Sequence, residues 1–173
     1  MCLPGSSLPA EEAARPIIRP ESLTPETDKP FHPLPGPATR LRFSDAGGLT
    51  PFGAVVETMP PGCLSSLSHW DLAEDAFIYM LEGEIVVHEG GTQTLLLPGQ
   101  AVCFKAGVPA GHCLENLSPT DAHYLVVGSR RSTETVTYPD HDRILQATDG
   151  QPTRFTTLNG QAASTSAYDL TAG

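Results

Sequence analysis

Two stretches of the chain decide its fold. The first reads GCLSSLSHWDLAEDAFIYMLEG, residues 62–83, and the second reads PGQAVCFKAGVPAGHCLEN, residues 98–116. Each places one histidine, His69 or His112, among short β-rich segments that glycine and proline interrupt. The two stretches therefore predict strands and turns around a pair of histidines.

Similar turn signals recur about every ten residues from residue 41 onward, with no long amphipathic helix between them. The predicted strands cover residues 41–43, 52–59, 77–81, 84–88, 92–97, 101–105, 113–116 and 123–128. Many short strands at this spacing are typical of an all-β sandwich or barrel. Residues 123–128 are the last strand that this pattern predicts.

The composition divides the chain into three parts. Residues 1–40 contain many prolines and no sustained periodicity, which predicts an extended Pro-rich N-terminal arm. Residues 41–145 form the predicted β-barrel. Residues 146–173 are rich in Thr, Gly, Ala and Ser and predict a C-terminal tail with no core-forming pattern after Phe155.

The charge balance excludes some partners. The formal net charge is −10, from 10 Lys and Arg against 20 Asp and Glu. Nucleic acid and anionic membrane surfaces are bound through clustered cations, and Arg130-Arg131 is the only basic pair after residue 43. We expect no nucleic-acid or membrane partner. Since no signal peptide or long apolar span is evident, we expect a cytoplasmic protein.

Both stretches closely resemble the paired motifs of the cupin superfamily. The first family motif is a Gly, then His-x-His, a Glu and a Gly, which residues 62–83 follow in part. The second is a Gly, then Pro-x-Gly, a His and an Asn, which residues 98–116 follow up to His112 and Asn116. The resemblance covers roughly residues 50–128 and implies a double-stranded β-helix, also called a jelly-roll barrel. Further matches, such as Pro60-Pro61-Gly62 and 137–140, are similar to small bacterial single-domain cupins.

The chain departs from the family at two positions of the metal site. Asp71 stands where the family has its second histidine, and Ala76 stands where it has the ligand glutamate. Residues i and i+2 of a strand face the same side, so His69 and Asp71 point inward together. With His112, they form a two-histidine, one-carboxylate set that can hold Fe, Mn or Zn.

Alternatives stay open at this point. The site is equally consistent with a metal-free protein in which His112 and Asp71 act as general base and acid. Glu74 or Asp75 could replace the ligand missing at Ala76, although both are more typical of solvated turn residues.

The predicted function is that of an enzyme acting on a small organic molecule inside the barrel. The reaction types that fit are those of an oxygenase, isomerase, cyclase or lyase. The alternative is a non-catalytic ligand-binding or sensor barrel with a decayed metal site. We also expect a homodimer, formed through edge strands and the N-terminal arm.

Other residues receive structural interpretations. Ile78 and Met80 share the parity of Ala76, so we expect them to line the pocket with apolar surface. The four cysteines, at positions 2, 63, 103 and 113, are interpreted as small buried apolar residues. Three histidines outside the motifs are expected at the surface: His88, His123 and His141.

Overall fold

The computed structural model of the chain describes residues 17–27 and 38–170. Its elements in chain order are β1 (Glu26–Thr27), β2 (Thr39–Arg42), α1 (Phe43–Ala46), β3 (Phe52–Met59), β4 (Trp70–Asp71), β5 (Ala76–Glu82), β6 (Ile85–Glu89), β7 (Thr92–Leu96), β8 (Ala101–Phe104), β9 (His112–Glu115), β10 (Ala122–Ser129), β11 (Thr133–Tyr138), β12 (Arg143–Thr148), β13 (Arg154–Thr156), β14 (Ala162–Ala163) and α2 (Ala167–Leu170). Both α-helices of the described segments span only four residues, and neither could cross a membrane.

The strands form three antiparallel sheets that make two layers. One layer is a six-stranded sheet with the order β1-β2-β3-β10-β5-β8, called the main sheet below. The other layer combines a three-stranded sheet, β7-β6-β9, and a five-stranded sheet, β14-β13-β12-β11-β4. An isolated antiparallel bridge between His69 and His112 joins these two smaller sheets.

The main apolar core lies between the two layers. Apart from Cys63, its buried residues come from the main sheet and from the three-stranded sheet, so the two sheets face each other. The cluster consists of Met59, Cys63, Ile78, Met80, Ile85, Val87, Leu96, Phe104, Leu114, Ala122 and Tyr124. Alternation along β5 shows the principle, because Ile78 and Met80 are buried while Phe77 and Tyr79 are exposed. The fold is an all-β jelly-roll barrel, as predicted.

Asn116 ties the end of β9 to two other parts of the barrel. Its side-chain amide donates to the carbonyl oxygens of Met59 at 2.7 Å and Thr120 at 2.8 Å. Its side-chain oxygen accepts from the backbone N–H and the hydroxyl of Ser118. Asn116 is fully buried, so these four bonds satisfy a polar group that water cannot reach. The motif asparagine therefore has a structural role.

The eight strands predicted between residues 41 and 128 all occur, with ends that differ by a few residues. The prediction that residues 123–128 end the series was wrong, because β11 to β14 follow. The first of these strands reads TETVTY, residues 133–138, and its alternation of Thr with other residues lacks a clear apolar face. Strands β11 and β12 nevertheless pair over their whole length of six residues.

The region after Phe155 also contributes to packing, contrary to expectation. Ala167 is buried against Leu67 and Tyr138, and Tyr168 packs beside them. The hydroxyl of Tyr168 accepts a hydrogen bond from the Leu67 backbone N–H. A small second core therefore covers the segment that leads into β4.

The N-terminal arm is described only in part. Residues 1–16 and 28–37 lie outside the described residues, so most of the predicted arm does too. Within the described part, Ile17 is 80% exposed, whereas Ile18 lies beside Gly47. Strand β2 crosses the predicted boundary at residue 40 and pairs with β3. The structure holds one chain, so the homodimer stays a prediction.

The turn between β5 and β6 requires glycine for two reasons. Gly83 has a φ of +78°, and a Cβ there would lie 2.7 Å from the Asp121 carbonyl oxygen. We expect Gly83→Ala to lower the free energy of unfolding by about 3 kcal/mol, because a left-handed backbone penalty and a clash with backbone add together.

Gly91, in the turn between β6 and β7, provides the matched control. It has a φ of +83°, and a Cβ there would have no neighbouring atom within 4 Å. Gly91→Ala should therefore lower the free energy of unfolding only by the backbone penalty, about 1 kcal/mol. Urea unfolding of both variants measures the difference. Equal losses would show that the Asp121 contact does not constrain this turn.

Candidate metal centre

The structure brings His69, Asp71 and His112 together. One potential ligand atom from each residue lies within 4.8 Å of the other two. His69 Nε2 and Asp71 Oδ2 are 3.7 Å apart. His69 and Asp71 come from the segment at β4, whereas His112 begins β9. The backbone bridge holds the two segments together, with His112 N donating to His69 O at 2.9 Å and His69 N donating to His112 O at 3.2 Å. The shared orientation of His69 and Asp71 predicted from strand parity, and the predicted approach of His112 to them, are both observed.

The ring of His69 is oriented by the backbone that precedes it. His69 Nδ1 lies 2.8 Å from the carbonyl oxygen of Leu67, and a carbonyl can only accept. Nδ1 therefore carries the proton in the neutral ring, which leaves the Nε2 lone pair directed toward Asp71. A backbone carbonyl that fixes the tautomer in this way is common behind metal-binding histidines.

His112 is held more tightly and is more deeply buried. Its ring stacks on Phe104, with centroids 3.7 Å apart and planes 3° from parallel, and the residue is 8% exposed. Burial, together with the neighbouring His69, lowers the pKa of His112 to about 4, although a hydrogen bond with the Ala110 backbone opposes this. The imidazole is thus neutral at pH 7, the form that binds a metal ion.

Burial of the Asp71 carboxylate costs free energy. Burial raises the pKa of its carboxyl to about 6, and the facing His69 opposes this, while Glu134 and Glu74 add to the increase. The carboxylate thus lies in a half-buried place near two other acidic side chains. A cation beside Asp71 would offset this cost.

The donor set fits a divalent transition-metal ion. Metal–ligand bonds of about 2.0–2.2 Å place neighbouring donor atoms about 3 Å apart, whereas His69 Nε2 and Asp71 Oδ2 are 3.7 Å apart and all three donors lie within 4.8 Å of one another. The side chains would therefore have to move slightly inward to bind one ion. Two imidazoles and one carboxylate suit Fe, Mn or Zn and leave coordination positions open. His69, Asp71 and His112 would hold the ion, and it would act there as a Lewis acid.

These residues form part of the wall of a cavity of about 250 Å³. The predicted open space at Ala76 is confirmed, because Ala76 lines this cavity beside Ile78. Met80 does not line it and is instead fully buried in the core. The complete lining is Arg40, Glu57, Ser65, Ser66, His69, Asp71, Ala76, Ile78, Phe104, His112, Cys113, Leu114, Tyr124 and Val126.

Neither acidic neighbour belongs to the donor group of His69, Asp71 and His112, although Glu74 borders a small pocket that Asp71 and His112 also line. Glu74 accepts a hydrogen bond from the Arg131 backbone N–H at 2.6 Å, and Asp75 accepts one from the Ala106 backbone N–H at 2.8 Å. Neither residue lines the cavity. Their carboxylates therefore hold loops in place, which favours the interpretation of turn residues over substitute ligands.

The remaining histidines and cysteines of the described segments are not part of the donor group. His88 is half-buried and pairs with Glu115, and His123 contacts Thr58, so neither is a freely exposed surface residue. Cys63 is buried as predicted, Cys113 is half-buried at the cavity, and Cys103 is exposed, contrary to expectation. Cys2 lies outside the described residues.

The sequence interpretation did not place several polar residues in the cavity, among them Arg40, Glu57 and Tyr124. One signal was available. Glu57 lies on β3 between Val55 and Met59, which share its parity, so a charged residue stands on the inward face of a strand.

Comparison with known proteins supports the fold and identifies the family. The family model for the cupin domain matches residues 55–128. The crystal structure of a protein from Silicibacter pomeroyi, described as a sugar phosphate isomerase from a cupin superfamily, is 30% identical. The match covers 86% of this chain and 97% of that chain, with a TM-score of 0.77. A comparison with curated protein sequences finds no match.

Two further structures share the fold at lower identity. One is a predicted oxalate decarboxylase from Thermotoga maritima, 23% identical over 66% of this chain and 99% of that chain, with a TM-score of 0.57. The other is from Acidithiobacillus ferrooxidans and is provisionally described as a sugar phosphate isomerase. It is 21% identical over 92% of this chain and 97% of that chain, with a TM-score of 0.74.

The fold and the paired histidine motifs define a β-barrel that surrounds an internal polar site. The chain belongs to the cupin superfamily. Within that superfamily it has a site made of two histidines and an aspartate, with Ala76 beside them.

The cost of burying Asp71 predicts a stability effect of opposite sign with and without metal. In chelator at pH 7, we expect Asp71→Asn to raise the free energy of unfolding by about 1–3 kcal/mol, because a neutral amide replaces a buried carboxylate whose pKa has risen from 3.8 to about 6. Saturating Mn or Zn should stabilise the wild-type protein more than Asp71→Asn. Thermal unfolding under both conditions measures the two effects.

The sign of the pH dependence follows from the same shift. The folded state favours the protonated Asp71 carboxyl, so its stabilising contribution is present below about pH 4 and is lost as pH rises through about 6. The advantage of Asp71→Asn in chelator should therefore grow between pH 4 and pH 7. His112, whose pKa is shifted downward, is present in both proteins and cancels in the difference. An advantage that does not change with pH would contradict a buried charge at Asp71.

Proposed function

We propose that the protein is a single-metal cupin enzyme that isomerises a small hydroxycarbonyl compound of the sugar phosphate class. The observation that carries this proposal is the convergence of His69, Asp71 and His112 in one cavity, with their donor atoms within 4.8 Å of one another. The open space at Ala76 would let a substrate oxygen approach the same point.

The size of the cavity supports a small substrate. Its volume of about 250 Å³ lies below the about 300–1,000 Å³ typical of ligand pockets. The lining mixes charged and hydroxyl-bearing side chains with apolar ones, which suits a polar molecule better than a hydrocarbon. The resemblance to the Silicibacter pomeroyi protein, described as a sugar phosphate isomerase, supports the substrate class.

The residues of the site have distinct tasks under this proposal. His69 and His112 would act as metal ligands. The Leu67 carbonyl orients the ring of His69, and stacking on Phe104 orients the ring of His112. A bound metal ion would polarise the substrate carbonyl and so make the neighbouring carbon–hydrogen bond more acidic. Phe104 and Ile78 would keep water from the apolar side of the substrate.

A second candidate uses the same residues without metal. The pKa of Asp71, raised to about 6 by burial, lies near the range that suits a general base at neutral pH. Asp71 could then remove a proton from the carbon beside the carbonyl of a bound hydroxycarbonyl compound and return it to the adjacent former carbonyl carbon. A non-catalytic binding barrel is the remaining alternative.

Metal analysis of the purified protein distinguishes these cases. We expect about one equivalent of Fe, Mn or Zn in the wild-type protein and loss of most of it in His69→Ala and His112→Ala. His88→Ala is the matched control, because His88 is also half-buried but pairs with Glu115 outside the cavity. Its metal content should equal that of the wild type.

Catalysis is tested by incubating the protein with aldose and ketose phosphates in D₂O. Nuclear magnetic resonance should show deuterium on the carbon beside the carbonyl, and His112→Ala should slow this exchange at least about a hundredfold. Exchange by a metal-free wild type would support the acid–base alternative. A wild-type protein that contains metal but catalyses no deuterium exchange with any of the aldose and ketose phosphates would contradict the isomerase proposal.

A further inference from the structure

Three polar side chains form a row across the main sheet. The strand register pairs Arg40 on β2 with Glu57 on β3, and Glu57 with Tyr124 on β10. Arg40 Nε donates to Glu57 Oε1 at 2.6 Å, and the Tyr124 hydroxyl donates to Glu57 Oε2 at 2.8 Å. Both oxygens of one carboxylate are therefore held by neighbouring strands.

This row faces the same cavity as the candidate metal centre. Arg40, Glu57 and Tyr124 all line the 250 Å³ space that His69 and His112 also line. The row belongs to the main sheet, whereas the histidines belong to the other layer. The cavity therefore has two polar regions, one contributed by each layer of the barrel.

Packing of the sheet does not require a carboxylate at this position. Val55 and Met59, on either side of Glu57 along the inward face of β3, are apolar and buried. A buried ion pair adds little net stability, and apolar residues of similar volume often replace one without loss. A charged group among apolar neighbours at a cavity wall is better explained by what the cavity binds.

Arg40 and Glu57 both carry a charge and line the cavity, but only the Glu57 carboxylate can accept a hydrogen bond, because a guanidinium has no acceptor atom. Tyr124 has no accessible surface, so it can act only through Glu57, which is 8% exposed. A carboxylate offers about four lone-pair positions, and Arg40 and Tyr124 occupy two of them. The remaining positions can accept hydrogen bonds from a molecule in the cavity.

We propose that Glu57 determines substrate specificity by accepting a hydrogen bond from a substrate hydroxyl, with Arg40 and Tyr124 as its positioning residues. The proposal rests on the proposed function, in which the cavity holds a small hydroxylated compound. It assigns recognition of the hydroxylated chain to the main sheet and the reacting carbonyl to the opposite layer. An analogue without hydroxyls would leave lone pairs of the buried Glu57 carboxylate unpaired, which is unfavourable.

The test compares two probes of equal chain length, D-ribose 5-phosphate and n-pentyl phosphate, by calorimetric titration of the full chain as purified. The wild-type protein should bind the ribose compound more tightly. In Glu57→Gln the ratio of the two affinities should fall about tenfold, mostly through weaker binding of the ribose compound. Tyr124→Phe, which keeps the carboxylate but removes one of its two holding contacts, should reduce the ratio less.

Glu26→Gln is the matched control. Glu26 accepts from Arg42 Nε at 2.7 Å, so this variant also breaks an Arg–Glu pair between neighbouring strands, but outside the cavity. Its affinity ratio should equal that of the wild type. A structural role of Glu57 would lower the melting temperature and weaken both probes equally, which would leave the ratio unchanged.

Each outcome decides the proposal. An unchanged ratio in Glu57→Gln, or a wild-type protein that does not prefer the ribose compound, would overturn it. Metal content, measured on the same samples, reports on the proposed function separately. A wild type without metal that still loses its preference on Glu57→Gln would overturn the metal-dependent reaction and retain the hydroxyl-binding carboxylate.

Discussion

The backbone bridge between His69 and His112 is the interaction on which the site depends. Its two hydrogen bonds, 2.9 and 3.2 Å long, join the three-stranded sheet to the five-stranded sheet and complete one layer of the barrel. The same two residues supply the imidazoles, whose ring centroids lie 4.9 Å apart. Because the bridge is made by backbone atoms, the approach of the two rings is set by strand pairing and does not depend on side-chain attraction.

The site imposes a cost on the fold that the rest of the barrel has to offset. Asp71 lies near Glu134, which is itself buried and accepts hydrogen bonds from the backbone N–H groups of Leu72, Ala73 and Thr135. These bonds hold the turn after β4 but also place a second negative charge near Asp71. An arrangement of this kind, unfavourable without a partner of opposite charge, is typical of a functional site. A bound cation would explain the two neighbouring carboxylates better than packing does.

Much of the barrel was predictable from local sequence, and the failures share one cause. The strands between residues 41 and 128 alternate clearly and end at glycine or proline, so periodicity and turn chemistry located them. Strand β11 has its polar residues Glu134 and Thr137 buried, a pattern that only its neighbours explain. Ala167 is buried because it packs against Leu67 and Tyr138, and no periodicity in the sequence predicts such a contact.

The sequence by itself determined an all-β sandwich or barrel and the shared parity of His69 and Asp71, since both follow from short-range patterns. The jelly-roll class and the motif histidines followed from the resemblance of the two stretches to the cupin motifs. Tertiary structure alone decided the stacking of His112 on Phe104 and the separation of Glu74 and Asp75 from the cavity. It also decided that Arg40, Glu57 and Tyr124 form one row, because strand order and register bring together residues that are far apart in the chain. Local patterns fix which way a side chain faces, whereas pairing between distant strands fixes what it meets there.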